Sequence, residues 1–110
     1  MAYDEELAGR IRAALSSTDG VTEKLMFGGC AFLVAGHMVA AASRDAGLML
    51  RLDPALGPDL VDGDRIRHVW MNGRELRGWL HLEPAVVEEE AQLMTWLQRG
   101  LDHVRNLPPK

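Results

Sequence analysis

The segment Glu23–Ala42, EKLMFGGCAFLVAGHMVAAA, holds the only cysteine of the chain, a histidine, and a glycine pair behind an aromatic residue. Residues of these types could do two kinds of chemistry. Glycines that open a helix can present backbone amides to a phosphate. A thiol beside an imidazole can act as a nucleophile or, with further ligands, hold a metal. The pattern favours neither. Gly28 and Gly29 precede CAFLVAGHM, which has strand composition, and neither a Lys-Ser/Thr pair nor a second spaced glycine set follows. A tight turn or bulge that redirects one strand into the next is the expectation at Gly28–Gly29. Cys30, between Gly29 and Ala31, reads as a small core residue. His37 belongs at the end of a hairpin turn closed by Gly36, away from Cys30. The four histidines show no paired ligand spacing, so no catalytic residue, cofactor or metal is expected.

A second constellation lies forty residues downstream, in RHVWMNGRELRGWLHL. Asn72–Gly73 suits a two-residue type I′ turn. A regular hairpin built on it opposes Trp70 to Glu75 and His68 to Arg77. Alternation then gathers His68, Trp70, Glu75, Arg77, Trp79 and His81 on one face, with Arg51 and Met49 as neighbours, and Val69, Met71, Leu76, Leu80 and Leu82 on the other. The aliphatic set belongs under helices. The Trp/His/Arg set would then face away from them, and three readings of it stay open: a wrapping helix or loop, a protein contact including a second copy of the chain, and a small-ligand groove. Base stacking on the tryptophans is conceivable chemically, but the acidic net charge and the absence of lysine there weigh against it. Glu88–Glu90 reads as a solvated, dipole-favoured helix start.

The elements that must position these residues follow from periodicity. Leu7, Ile11, Ala14 and Leu15 predict a helix over 4–17 capped by Asp4, with Gly20 as a left-handed exit. Glycine-punctuated runs predict strands over 21–27, 30–34, 38–42 and 48–52, with turns at 35–36 and 44–47. Asp53–Pro54 predicts a short helix to about Leu60. After the 68–82 hairpin, a last helix from Glu83–Pro84 to about Asn106 carries an apolar arc of Val86, Leu93, Met94, Leu97, Leu101 and Val104. Glu90 falls inside that arc, which places it either on an early turn reaching past the sheet or in a buried ion pair, the first being the simpler because unpaired burial is costly. The order α-β-β-β-β-α-β-β-α with hairpin connections predicts an α+β fold, a two-layer sandwich of antiparallel sheet with helices on one face.

With 110 residues and 47% hydrophobic composition, the chain is expected to form one domain over residues 1–110. No apolar run reaches membrane-spanning length, the acidic start does not resemble a secretory signal, and a single cysteine fits a reducing compartment, so a cytoplasmic protein is expected. The net charge of −4 argues against direct nucleic-acid binding. Arginines cluster mid-chain, from Arg44 to Arg77, and acids near the ends. NLPPK reads as a tail.

TEKLMFGGCAFLVAGHM, the RGWL of Arg77–Leu80 and the closing RGLDHVRNLPPK together resemble the TfoX N-terminal domain family across essentially the whole chain, with Met26–Gly29 as the most specific piece. The resemblance implies a two-layer fold similar to the secretion-chaperone class. It also implies a regulatory role, because the founding members regulate natural DNA-uptake competence as co-activators of a cyclic-AMP receptor transcription factor. Those proteins carry a second, C-terminal domain that has no counterpart in this sequence, and the family motif assigns no catalytic role. A non-enzymatic regulatory domain acting through protein contacts is therefore expected, with a small-ligand-binding module around Trp70 and Trp79 as the alternative.

Overall fold

The computed structural model describes residues 3–26, 28–44 and 47–108, with the Met71 side chain excepted. Several expectations lie outside the described residues: Phe27 as a strand end, positions 45 and 46 of the 44–47 turn, Pro109–Lys110 of the tail, and the direction of Met71. The chain runs α1 (Glu5–Ala14), β1 (Val21–Met26), β2 (Gly29–Val34), β3 (His37–Ala42), β4 (Leu48–Arg51), α2 (Gly57–Leu60), β5 (Ile66–Met71), β6 (Arg74–Leu82), a 3₁₀ turn (Pro84–Val87) and α3 (Glu90–Arg105). The α+β order read from the sequence is the observed one. Six strands form one antiparallel sheet in the spatial order β1-β2-β3-β4-β6-β5.

Side chains directly opposed across a sheet share a face, so the register defines two rows. One runs Glu23–Phe32–Ala40–Leu50–Leu80–His68 and the other Lys24–Ala31–Ala41–Met49–His81–Arg67. The first is apolar between polar ends and lies under the helices. Phe32, Ala40, Leu50 and Leu80 join Leu7, Ile11 and Leu15 of α1 and Leu93, Leu97, Leu101 and Val104 of α3 in a single core. Each of the large members removed from water contributes about 1.5–3 kcal/mol. No helix contributes to the second row.

Local chemistry fixes the helix ends. The amide of Leu7 donates to Asp4 Oδ1 at 3.1 Å, capping α1. The segment after β4 begins with an Asp53 turn, in which Asp53 Oδ1 accepts from the Ala55 amide at 2.9 Å, and α2 starts three residues later than the Asp53–Pro54 signal indicates. The last helix is also shorter than its periodicity predicts. Arg10 of α1 donates to the carbonyls of Val87 (2.8 Å) and Glu88 (3.1 Å), oxygens that a continuous helix would use internally. The chain therefore makes one 3₁₀ turn, places Val87 in the core, and restarts as α3 at Glu90. Glu90 reaches Arg10 at 3.3 Å on the surface, outside the apolar arc. Met94, expected within that arc, is 44% exposed, while Trp96 takes a buried place instead.

α3 packs against β3 and β4 through Gly100. A Cβ there would lie 2.8 Å from the Arg51 carbonyl oxygen and 2.8 Å from Val39 Cγ2. Val39 is the extra residue of a bulge, since Phe32 pairs with Ala40 and Leu33 with Met38, and the bulge sends it into the core. Gly100→Ala is expected to lower unfolding free energy by roughly 1–3 kcal/mol, as overpacking does. Gly9→Ala in α1, where an added Cβ meets nothing within 4 Å, should stabilise by up to about 1 kcal/mol. Urea denaturation of the two variants checks both signs.

Candidate functional site: the open sheet face

The β5–β6 hairpin starts as the sequence indicates. Asn72 and Gly73 both have positive φ, 53° and 77°, and Met71 opposes Arg74 while Trp70 opposes Glu75. The next matched pair is His68 with Leu80, so Val69 alone stands against four residues of β6. This replaces the expected opposition of His68 to Arg77. The cause is Gly78, at φ +85°, whose carbonyl accepts from the Leu52 amide at 2.9 Å. The strand leaves β5, bonds to the segment beyond β4, and returns three residues out of step. An odd shift exchanges the faces.

Two placements are corrected as a result. Val69 and Leu76, expected under the helices, instead line the open face. Leu80 and Leu82 are in the core as expected. His68 shares its register with core-facing Leu80 and lies at the sheet edge, its Nδ1 3.8 Å from Glu75 Oε1.

The open face is concave, with a depression of about 590 Å³. Of the residues singled out from the sequence, His68, Trp70, Trp79 and His81 line it, whereas Arg51, Glu75 and Arg77 do not. Arg51 opposes Trp79 across β4 and β6, and Arg77 is exposed. Met49, named from the sequence as a neighbour of that set, lines it too. Other lining residues were missed: Ala31 and Ala41 form part of its floor, Met26 and Met38 line it, and Arg44 and Arg67 add charge. A signal for it existed in the sequence. GCAFLV and HMVAAA read as nearly continuous apolar strands, a pattern typical of strands covered on both faces, and β2 and β3 are buried at almost every position.

The Gly28–Gly29 pair builds one end of this depression. Met26 opposes Gly29, and Gly29 opens β2. Gly28 has φ +78°, and a Cβ on it would lie 2.8 Å from Arg44 Cδ. A Cβ on Gly29 would lie against the Ala42 carbonyl oxygen. The pair therefore brings β1–β2 close to the end of β3 and leaves room for the stem of Arg44. It opens no helix, and nothing about it resembles a phosphate loop.

Polar contacts differ around the rim. Arg67 is engaged: it pairs with Glu83 at 2.7 Å, donates to the Asp64 carbonyl at 3.1 Å and lies 3.2 Å from His81 Nδ1. Among the described residues no carboxylate is paired with Arg44, and none of the described lining residues is acidic.

Cys30 and His37 lie elsewhere, on the helix side. His37 opposes Val34 beside the Ala35–Gly36 turn, is buried, and donates from Nε2 to the Pro108 carbonyl. Cys30 Sγ lies 3.7 Å from Glu23 Oε1, and Glu23 is bound by Arg12 through bonds of 2.6 and 2.7 Å. Burial, and then the neighbouring Glu23 carboxylate, push the Cys30 thiol up; Arg12 holds Glu23 below the usual carboxylate range. That is the reverse of an activated thiol. No group of three potential metal ligands occurs among the described residues. Alkylation of Cys30 by iodoacetamide at pH 7.5 is expected to be at least about a hundredfold slower in the folded chain than in urea, and a rate near that of a free thiol would contradict the burial.

No helix among the described residues is long and apolar enough to cross a membrane. No curated protein and no solved structure gives a significant match. The family model described as the TfoX N-terminal domain matches residues 13–104, a span that takes in all six strands and nearly all of α3. The match covers most of the chain, and the chain belongs to the TfoX N-terminal domain family.

Proposed function

We propose that the chain is a non-enzymatic regulatory domain of the competence-regulator type that acts through contacts made by the open sheet face. The observation that carries this reading is the row Lys24–Ala31–Ala41–Met49–His81–Arg67, apolar at its centre on a face to which no helix contributes. An apolar sheet face with exposed aromatic neighbours is a surface that partners cover. Trp70, 64% exposed, and Trp79 stand on one side of it, and large rigid rings of this kind are where contact energy concentrates. The buried, unactivated Cys30 supports a role without catalysis.

A second reading is favoured by one specific observation. The depression is of ligand size, about 590 Å³, within the range of small-molecule sites, and its described lining carries arginine but no acid. A small-ligand module on the same face is therefore retained.

The contact reading is tested by sedimentation and pull-down with the Trp70→Ala and Trp79→Ala variants. Association with a second copy or a protein partner is expected to weaken at least about tenfold on losing either anchor, with the circular dichroism spectrum unchanged. A wild-type chain that sediments as a monomer at high concentration and retains no partner that the variants lose would end it.

A further inference from the structure

Resting on the ligand reading of the open face, we infer that the depression binds an amphiphilic carboxylate, with Arg44 holding the anionic head and the alanine–methionine floor holding the apolar body. Three observations converge on this chemistry. The chain has sixteen acids against twelve lysines and arginines, yet none of the described residues lining the depression is acidic. The guanidinium groups of Arg44 and Arg67 are the fixed charges of that lining, so an anion is the ligand charge it can pair with directly.

The two arginines of the rim are not equivalent. Arg67 is committed to Glu83, Asp64 and His81, and its charge is already answered. Arg44 is exposed and, among the described residues, has no carboxylate partner. Its stem runs along Gly28, close enough that a Cβ on that residue would lie 2.8 Å from Arg44 Cδ. The glycine thus acts as a positioning residue that seats the arginine at the edge of the depression. A guanidinium presented this way matches a planar carboxylate with two parallel hydrogen bonds.

The body of the ligand is set by what lies beside Arg44. Met26, Met38 and Met49 are unbranched and adaptable, and Ala31 and Ala41 between them leave room rather than filling it. Trp79 and Val69 close the far side. Such a lining accepts an extended alkyl or flat aromatic body and offers little to a polyhydroxylated one.

The test compares decanoate, decanol and decylammonium, each below its micelle concentration, by tryptophan fluorescence titration of the full chain. Decanoate is expected to bind at least about tenfold more tightly than decanol, as a charge-assisted hydrogen bond implies, and decylammonium more weakly still. Arg44→Gln should abolish the preference for decanoate over decanol while decanol affinity is retained. Arg44→Lys should keep part of the preference, and Arg74→Gln, on the hairpin outside the depression, all of it. Equal affinities for the three amphiphiles in the wild type, or a preference untouched by Arg44→Gln, would overturn the assignment of the anionic head and leave the ligand reading standing. No binding of any of the three would overturn both. Retained decanol binding and an unchanged circular dichroism spectrum in Arg44→Gln separate loss of the anchor from loss of the fold.

Discussion

Where Gly78 gives its carbonyl to the amide of Leu52, β6 abandons the register begun at Asn72–Gly73, and much of the open face depends on that one exchange. A residue with a side chain would be strained at φ +85°, and its Cβ would approach the Leu52 carbonyl and Pro54 at 3.2 Å. With the exchange in place, Leu80 and Leu82 return to the core opposite Leu50 and Leu48, and Trp79 and His81 line up with Arg51 and Met49. Val69 and Leu76 are then left on the uncovered side. A hairpin in uniform register would have put Val69 and Leu76 under the helices.

The element order, the hairpin turns and the Asp4 cap were legible because each depends on neighbours in sequence. Alternation along the hairpin assigned Leu80 and Leu82 to the core correctly. What escaped depends on contacts between distant residues. The break at Glu88–Glu89 is made by Arg10, far away in the chain, and no periodicity within the last helix encodes it. The shift at Gly78 was partly visible, since a glycine inside a strand pattern signals a bulge or a close backbone approach. Its size and direction follow from the position of Leu52 in the folded chain. Part of the candidate site was therefore found, through the tryptophans, the histidines and Met49. The alanines and Met38 were hidden in runs that look like ordinary core strands.

Both faces of β2 and β3 are apolar, and the fold accounts for only one of them. On the helix side, Phe32 and Ala40 disappear beneath α1 and α3. On the other, Ala31 and Ala41 are already shielded from water, with methionines as their neighbours in the lining. Methionine suits that position because it can cover a floor in one state and move aside in another. The family's glycine turn belongs to the same construction: it ends β1, admits Gly29 against the Ala42 carbonyl, and leaves Arg44 its path along Gly28. The glycines that first suggested chemistry of their own instead shape one end of the open face.

The rows of the sheet also bear on how the chain avoids assembling in the wrong way. β1 is an edge strand, largely exposed, and an unpaired edge invites a copy of itself. Antiparallel pairing of two β1 strands that keeps the helix sides together must match positions of equal parity. The two longest such registers centre on Glu23 or Lys24, setting each against its own copy. Like charges directly opposed are destabilising, and Glu23 is in addition already claimed by Arg12. The β1 edge is thus guarded against pairing with its own copy in these registers.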